Sequence, residues 1–371
     1  MQDPQGTFPS KDNDFVKLNG YDYIEFYVGN ALQAAHFYRT AFGFTHTAYA
    51  GPETDVRDRV SYVLEQRKIR LVLTAPLRGD SPIAAHIARH GDGVKDIAFC
   101  VEDSARAFAE TVKRGARPVM EPTVYEDKRG RVVKSAIGVY GDTVHSFIER
   151  HEYEGLFLPG YVPFARNSVS INTGFSAVDH VAVSLQAGDL DEWVSFYRDV
   201  MGFHESHTED VETEYSAMSS KVVENSTGKV KFPMVEPSPS KRRSQIDEYL
   251  EFYQGAGVQH VALLTGDIVK TVTALRTMGH EFLRTPETYY ETLTDRVGNI
   301  NEDLDALRKL NILVDRDQWG YLMQIFTKPV QSRPTVFMEA IQRKGARGFG
   351  SGNIKALFQA LEREQQLRGN L

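Results

Sequence analysis

Gly91-Asp-Gly-Val-Lys-Asp-Ile-Ala98 is echoed by Gly255-Ala-Gly-Val-Gln-His-Val-Ala262. Each copy runs on through an acidic turn into a helical pattern: Asp103-Ser-Ala-Arg-Ala-Phe-Ala-Glu110 in the first, Asp267-Ile-Val-Lys-Thr-Val-Thr-Ala274 in the second. Each then reaches a glycine (Gly115, Gly279) and a proline (Pro122, Pro286). Self-similarity of this kind marks copies of one supersecondary unit, so finding where the copies begin decides the fold.

Working outward, Tyr21-Asp-Tyr-Ile-Glu-Phe-Tyr-Val28 leads to Phe37-Tyr-Arg-Thr-Ala-Phe-Gly-Phe44. Val178-Asp-His-Val-Ala-Val-Ser-Leu185 leads in the same way to Phe196-Tyr-Arg-Asp-Val-Met-Gly-Phe203. The closings match more loosely, Val144-His-Ser-Phe-Ile-Glu-Arg150 against Phe337-Met-Glu-Ala-Ile-Gln-Arg343. Two related halves follow, 15–155 and 175–371, with the repeat of the second ending near 345. The connection 156–174 contains Leu156-Phe-Leu-Pro-Gly-Tyr-Val-Pro163, irregular by its Pro and Gly. Each half is expected to be α+β, built from β-α-β-β-β units, with strands near Val258–Leu264, Tyr321–Thr327 and Thr335–Ile341. The pattern resembles the vicinal-oxygen-chelate (glyoxalase/dioxygenase-like) superfamily, in which paired units curl a sheet around a metal. In the tail, Ile354, Leu357, Phe358 and Leu361 recur at helical spacing, predicting a helix over Asn353–Arg368. After Gly348-Phe-Gly-Ser-Gly352 this helix reads equally as a lid and as a plain packing helix.

Of 371 residues, 41% are hydrophobic and 25% charged, enough apolar content for a large core. The net charge of -7 argues against nucleic acid as a partner. The one cysteine, Cys100, excludes an internal disulfide and a multi-Cys metal site and fits a reducing compartment. The polar start, Met1 to Asp14, has no signal-peptide core, and no run of about 18 apolar residues predicts a membrane span. A cytoplasmic location without membrane contact is the expectation.

Metal-dependent oxygenases commonly use two His and one carboxylate on one face, leaving positions open for substrate and dioxygen. In the second half, His180, His260 and Glu339 fall on three expected strands of one sheet. The repeat supplies an internal control, aligning Tyr23 with His180, Asp96 with His260 and Ser146 with Glu339. A lone strand histidine is usually a core or surface residue. Three coordinating residue types, all different in the sister copy, point instead to a metal centre in the second half and a structural role for the first. The other histidines (His36, His46, His86, His90, His145, His151, His204, His207 and His280) lack such a pattern and read as structural or surface.

Ser244-Gln-Ile-Asp-Glu-Tyr-Leu250, Gly255-Ala-Gly-Val-Gln-His260, Leu322-Met-Gln-Ile-Phe-Thr327 and Gly348-Phe-Gly-Ser-Gly-Asn353 resemble the 4-hydroxyphenylpyruvate dioxygenase family and its sister 4-hydroxymandelate synthase. The resemblance covers nearly the whole chain. It implies Fe(II) on the His180/His260/Glu339 set and dioxygen as co-substrate. It also implies a small aryl 2-oxo acid that is decarboxylated and hydroxylated, and a homo-oligomer. Gln245, Gln259 and Gln324 match pocket glutamines, which donate and accept without adding charge. Gln259 directly precedes a ligand, so strand alternation points it away from His260. Phe326 and Phe349 match ring-stacking aromatics, or are ordinary core. Ser220 matches a pocket hydroxyl, or is a loop serine. Asn353 matches a polar residue at the head of the tail helix, or is an N-cap.

Three departures bear on the product. Ile354 replaces a Phe usual in the dioxygenase branch. Val235, in Pro233-Met-Val-Glu-Pro237, replaces an Asn. Val183-Ser184 replaces Gly-Asn. Losing the ring at 354 removes a stacking face worth about 0.5–1.5 kcal/mol and frees the substrate ring to turn. A displacement of about 1 Å changes a rate roughly a hundredfold. These pocket changes favour benzylic hydroxylation to 4-hydroxymandelate. Pro233, Thr213-Glu-Tyr-Ser-Ala217 and Thr327-Lys-Pro-Val-Gln331 stay dioxygenase-like and keep homogentisate as the alternative, and the apolar lining also suits phenylpyruvate or an aliphatic 2-oxo acid. A ring-cleaving extradiol dioxygenase and a non-catalytic metal-binding protein are the competing classes.

Overall fold

The computed structural model describes residues 14–164, 171–239 and 242–370. All but the last residue of the polar start expected over Met1–Asp14, and part of the expected connection, therefore lie outside the described residues.

In the first half, strand β1 (Tyr21–Tyr27), helix α1 (Ala31–Phe42) and strands β2 (Thr45–Ala50), β3 (Arg59–Gln66) and β4 (Ile69–Pro76) form one β-α-β-β-β unit. Helix α2 (Pro82–His90) leads to the second unit: β5 (Gly93–Cys100), α3 (Ser104–Lys113), β6 (Arg117–Asp127), β7 (Gly130–Gly138) and β8 (Val144–Glu149). A short β9 (Val162–Pro163), inside the expected connection, pairs with β2. The second half repeats the plan with β10 (Phe175–Ser184), α4 (Leu190–Asp199), β11 (His204–Glu212), β12 (Ala217–Glu224), β13 (Lys231–Ser238) and α5 (Gln245–Tyr253). It continues through β14 (Gly257–Thr265), α6 (Ile268–Thr277), the short helices α7 (Glu287–Glu291), α8 (Leu293–Val297) and α9 (Leu304–Leu310), then β15 (Leu313–Asp317), β16 (Gly320–Phe326) and β17 (Phe337–Lys344). Helix α10 (Ser351–Leu367) closes the chain.

The local signals explain these elements. Asn30 caps α1 by accepting Gln33 N–H, and Gly43 ends it at φ 75°, a conformation costly for any other residue. Asp103 and Asp267 cap α3 and α6 in the same way at the two repeated acidic turns. Strand β14 is buried along nearly its whole length, so its run Val258–Leu263 reads as continuous apolar sequence broken by Gln259 and His260.

Among the described residues the sheets run β6-β7-β8-β5-β1-β4-β3-β2-β9 and β11-β12-β13-β10-β14-β17-β16-β15, the same order read from opposite ends. Within a unit the outer strands pair in parallel (β1 with β4, β10 with β13), and the units meet across antiparallel β1–β5 and β10–β14. The register makes the halves comparable residue by residue. Tyr23 pairs with Ala98, which pairs with Ser146; His180 pairs with Ala262, which pairs with Glu339. Both antiparallel seams slip at the same places, at Asp22 and Asp179, and again at Lys95 and Gln259. Such bulges bend a strand and re-aim a side chain.

Two expected elements shift. The last strand begins at Phe337 rather than Thr335, because Thr335 N–H turns back to the Arg333 carbonyl. Helix α10 begins at Ser351, so Gly352 is its first turn and not a lead-in.

Candidate metal centre and pocket

His180, His260 and Glu339 stand on β10, β14 and β17, three adjacent strands of the second sheet. One donor atom of each lies within 4.8 Å of the others. Glu339 Oε2 is 3.2 Å from His180 Nε2 and 3.2 Å from His260 Nε2, and all three side chains are buried. The remaining donor atoms are already engaged. His180 Nδ1 is 2.8 Å from Asp179 Oδ1, His260 Nδ1 is 3.1 Å from Gln259 Oε1, and Gln324 Nε2 donates to Glu339 Oε1 at 2.9 Å. Glu339 Oε2 has no hydrogen bond although it is buried. Both Nε2 lone pairs and one carboxylate oxygen thus converge on one point with their far sides fixed, the donor set a divalent ion needs.

The electrostatics match. Burial alone would raise the Glu339 carboxyl, but the His180 and His260 rings hold it at about 2. Burial pushes His260 down; in His180 the Glu339 and Asp179 carboxylates overcome burial and raise it. Asp179, despite its burial, is held well below the carboxylate range by Arg343, whose Nε and Nη2 grip both its oxygens at 2.8 Å. Arg343 also donates to the Gly348 carbonyl at 2.6 Å and lies over the Phe349 ring.

Beside the triad is a pocket with a cavity of about 60 Å³. Of the residues expected there, Ser220, Val235, Gln245, Gln259, Gln324, Phe326, Phe349 and Ile354 all line it. Ser220 is no loop residue: it sits on β12 directly opposite Val235 on β13. Gln259 does not point away from His260, because the bulge breaks the alternation, and its amide lies between His260 Nδ1 and Gln245 Oε1. Phe349 and Phe326 set their rings edge-on to His180 and His260. Asn353 is not in the lining and is no N-cap. Its Nδ2 donates to Gln324 Oε1 at 2.8 Å and its Oδ1 lies 2.6 Å from the Tyr289 hydroxyl. The first turn of α10 is capped instead by Asp315, which accepts Gly352 and Asn353 N–H. Helix α10 packs rather than floats: Ile354, Leu357 and Phe358 line the pocket, and Arg368 pairs with buried Glu248 on α5.

The first half carries the same frame without the donors. Asp22 and Arg150 repeat the Asp179–Arg343 pair, with Arg150 Nε 2.7 Å from Asp22 Oδ2. Phe157 repeats Phe349, edge-on to Tyr23 and beneath Arg150. At the triad positions, Tyr23 and Ser146 donate to Asp96 at 2.8 and 2.6 Å. Lys134, in register with Gln324, reaches Tyr23 Oη at 2.6 Å and Asp96 at 3.2 Å. Asp179, Arg343 and Tyr289 were not singled out from the sequence. The first two had a signal, since Asp22/Asp179 and Arg150/Arg343 are identical in the aligned repeats.

Two tandem β-α-β-β-β halves with a buried His/His/Glu cluster in one define a protein of the glyoxalase/dioxygenase class. Residues 177–325 match the model of the glyoxalase/bleomycin resistance protein/dioxygenase superfamily, and residues 12–159 match that of the hydroxyphenylpyruvate dioxygenase N-terminal region. The chain is 43% identical to 4-hydroxyphenylpyruvate dioxygenase of Yarrowia lipolytica over 97% of its length and 95% of that protein. It is 45% identical to the Dictyostelium discoideum enzyme over 95% of its length and 100% of that protein. A substituted variant of 4-hydroxymandelate synthase from Streptomyces coelicolor superposes with a TM-score of 0.85 at 37% identity, covering 94% of this chain and 99% of that one. The chain belongs to the 4-hydroxyphenylpyruvate dioxygenase family and is a dioxygenase of that class. Among the described residues no helix is long and apolar enough to cross a membrane.

Proposed function

We propose that His180, His260 and Glu339 hold the Fe(II), and that the chain decarboxylates and hydroxylates 4-hydroxyphenylpyruvate, or a close analogue, at the benzylic carbon. The product would be 4-hydroxymandelate. Iron bound there supplies the electrons for dioxygen and a chelation point for the 2-oxo acid. The residues around it do the rest. Asp179 keeps the His180 Nδ1 proton in place and its Nε2 free. Tyr289, Asn353 and Gln324 form a chain of hydrogen bonds that all point towards Glu339 Oε1, holding Oε2 on the metal side. Phe326, Phe349 and Phe358 exclude water, and Gln245 and Gln259 offer neutral polar contacts to the substrate.

The observation that carries the product assignment is that Ile354 and Val235 line the same pocket as the triad. Both are apolar, so the aryl ring meets neither a stacking face nor an amide there and is free to turn its benzylic carbon to the metal. Homogentisate is the second reading, favoured by Pro233 in the same lining and by the names of the 43–45% identical relatives. The test is anaerobic loading with Fe(II), addition of 4-hydroxyphenylpyruvate and air, and separation of products by chromatography and mass. A 4-hydroxymandelate product is expected; predominant homogentisate overturns the pocket argument.

A further inference from the structure

His86 and His90 lie one turn apart on α2, on one face of the helix. Asp142 comes to them from the turn between β7 and β8. One donor atom from each of the three lies within 4.8 Å of the others. His90 Nε2 is 2.8 Å from Asp142 Oδ2, and His86 Nδ1 is 3.8 Å from the same oxygen. His90 Nδ1 stands 2.5 Å from the Tyr253 carbonyl, so its proton is committed to that bond. Its Nε2 lone pair then faces a carboxylate, which requires a positive centre between them. A second proton would serve His90 but leave His86 unexplained. That ring is only 6% exposed, and neither of its nitrogens has a hydrogen bond. A buried imidazole with both nitrogens unsatisfied is costly, and one positive ion satisfies all three groups together.

We propose that His86, His90 and Asp142 form a second metal site, for a divalent transition ion of the Zn(II) type, separate from the triad. Two imidazoles and one carboxylate are the ligands such an ion takes, at about 2.0–2.2 Å each, which sets donor-to-donor distances of about 3.3 Å. The present 2.8 and 3.8 Å bracket that value, so each donor moves by about half an ångström. The Tyr253 carbonyl supplies the partner that fixes the His90 ring for metal binding. Lys95 donates to the backbone oxygen of Asp142 rather than to its carboxylate, while Arg89 stands 3.9 Å from that carboxylate. These cations weaken the site and favour ions with strong imidazole bonds. Asp142 is partly exposed, which leaves a position for water and a path of entry.

The site sits on the seam between the halves. Through Tyr253 it grips the end of α5, the helix whose first residue, Gln245, lines the catalytic pocket. Arg333 crosses the same seam, donating to the carbonyls of Ala88 and Phe252. The ion is thus a brace for the interface on which the pocket rests.

The test is total metal per chain. Iron-loaded protein is dialysed anaerobically against Zn(II), and iron and zinc are counted by mass spectrometry, so that zinc replacing iron does not change the sum. Wild type should hold about two metals per chain; His86→Phe, which fills the space, and His90→Gln should each hold about one. Zinc should raise the thermal midpoint of the wild type by about 2–4 °C and leave both variants unmoved. A sum of one in the wild type, or of two in both variants, overturns the proposal.

Discussion

Replacing Asp179 by Asn, with Asp22→Asn as its twin in the first half, separates what the buried Asp–Arg pair does for the fold from what it does for the metal. Asp179 has 5% of its side chain exposed and Asp22 has 1%. Each of these buried carboxylates grips a half-buried arginine, Arg343 or Arg150, through both its oxygens. An Asn at either position keeps the volume but turns an NH2 towards a guanidinium that also only donates. Breaking a buried pair from one side costs about 3–5 kcal/mol. Both variants should therefore lose stability by about that amount in denaturant unfolding of the metal-free protein. Only Asp179 also receives the His180 Nδ1 proton, at 2.8 Å. Removing such a partner from a ligating histidine lowers metal affinity about 10–100-fold, or about 1.4–2.7 kcal/mol. Anaerobic Fe(II) titration against a competing chelator measures this directly. Asp179→Asn should bind iron about 10–100-fold more weakly, and Asp22→Asn should bind it like the wild type. Equal losses in both would place the effect in the general fold. An Asp179→Asn affinity within about threefold of wild type would show that this carboxylate does not act through His180.

Ile354→Phe should move the product towards homogentisate, by returning a ring to a tight pocket in which one side chain's size is felt; an unchanged product ratio on chromatography would remove Ile354 from control of the outcome. His145, fully buried beside Tyr197, is pushed by burial to about 4 from an ordinary 6.5, so the unfolded chain takes up a proton that the folded one refuses. Stability from this group is complete above pH 6.5 and falls as pH drops towards 4, by roughly 2 kcal/mol at pH 5, and His145→Gln should flatten that part of the pH–stability curve. Glu362 on α10 accepts from the hydroxyls of Thr213 and Ser216, and Glu362→Ala should speed amide exchange over Ser351–Leu367 about tenfold, for a loss of about 1.5 kcal/mol; unchanged exchange would mean α10 is held by its apolar face alone.

The repeat made the halves, their β-α-β-β-β units and the triad readable from sequence, because strand register carries a residue alignment straight into space. What it hid was local. Gln259 escaped the alternation rule because a bulge, visible only as a slip in pairing against β10, turns it into the pocket. Asn353 sits in the first turn of a helix whose cap comes from Asp315, far away in sequence, so no local pattern announced it. Helices α7–α9 and the Tyr289 contact lie in an insertion with no counterpart in the first half, where the repeat is silent.

The comparison between halves also explains why, of the two equivalent triad positions, only the one in the second half carries metal-binding side chains. Frame residues are common to both: the Asp–Arg pair, the aromatic ring under the arginine and the two bulges. The frame alone therefore specifies no chemistry. In the second half the position in register with Lys134 is Gln324, a neutral amide that hands one proton to Glu339 and leaves Oε2 free. In the first half the ammonium of Lys134 takes that place, and Tyr23 and Ser146 spend their protons on Asp96. Burial alone would discharge Lys134, but Tyr23, Asp96 and Glu25 outweigh it and keep the ammonium charged. A fixed positive charge thus stands against two of the three side chains that occupy the triad positions. Two unit charges about 4 Å apart repel by about 4 kcal/mol at the dielectric of a partly buried site, and a divalent ion doubles that. The triad-equivalent position of the first half is closed to metal by charge as well as by the Tyr23 and Asp96 that stand where His180 and His260 do, and the same ammonium neutralises the Asp96 carboxylate that would otherwise be stranded in its core.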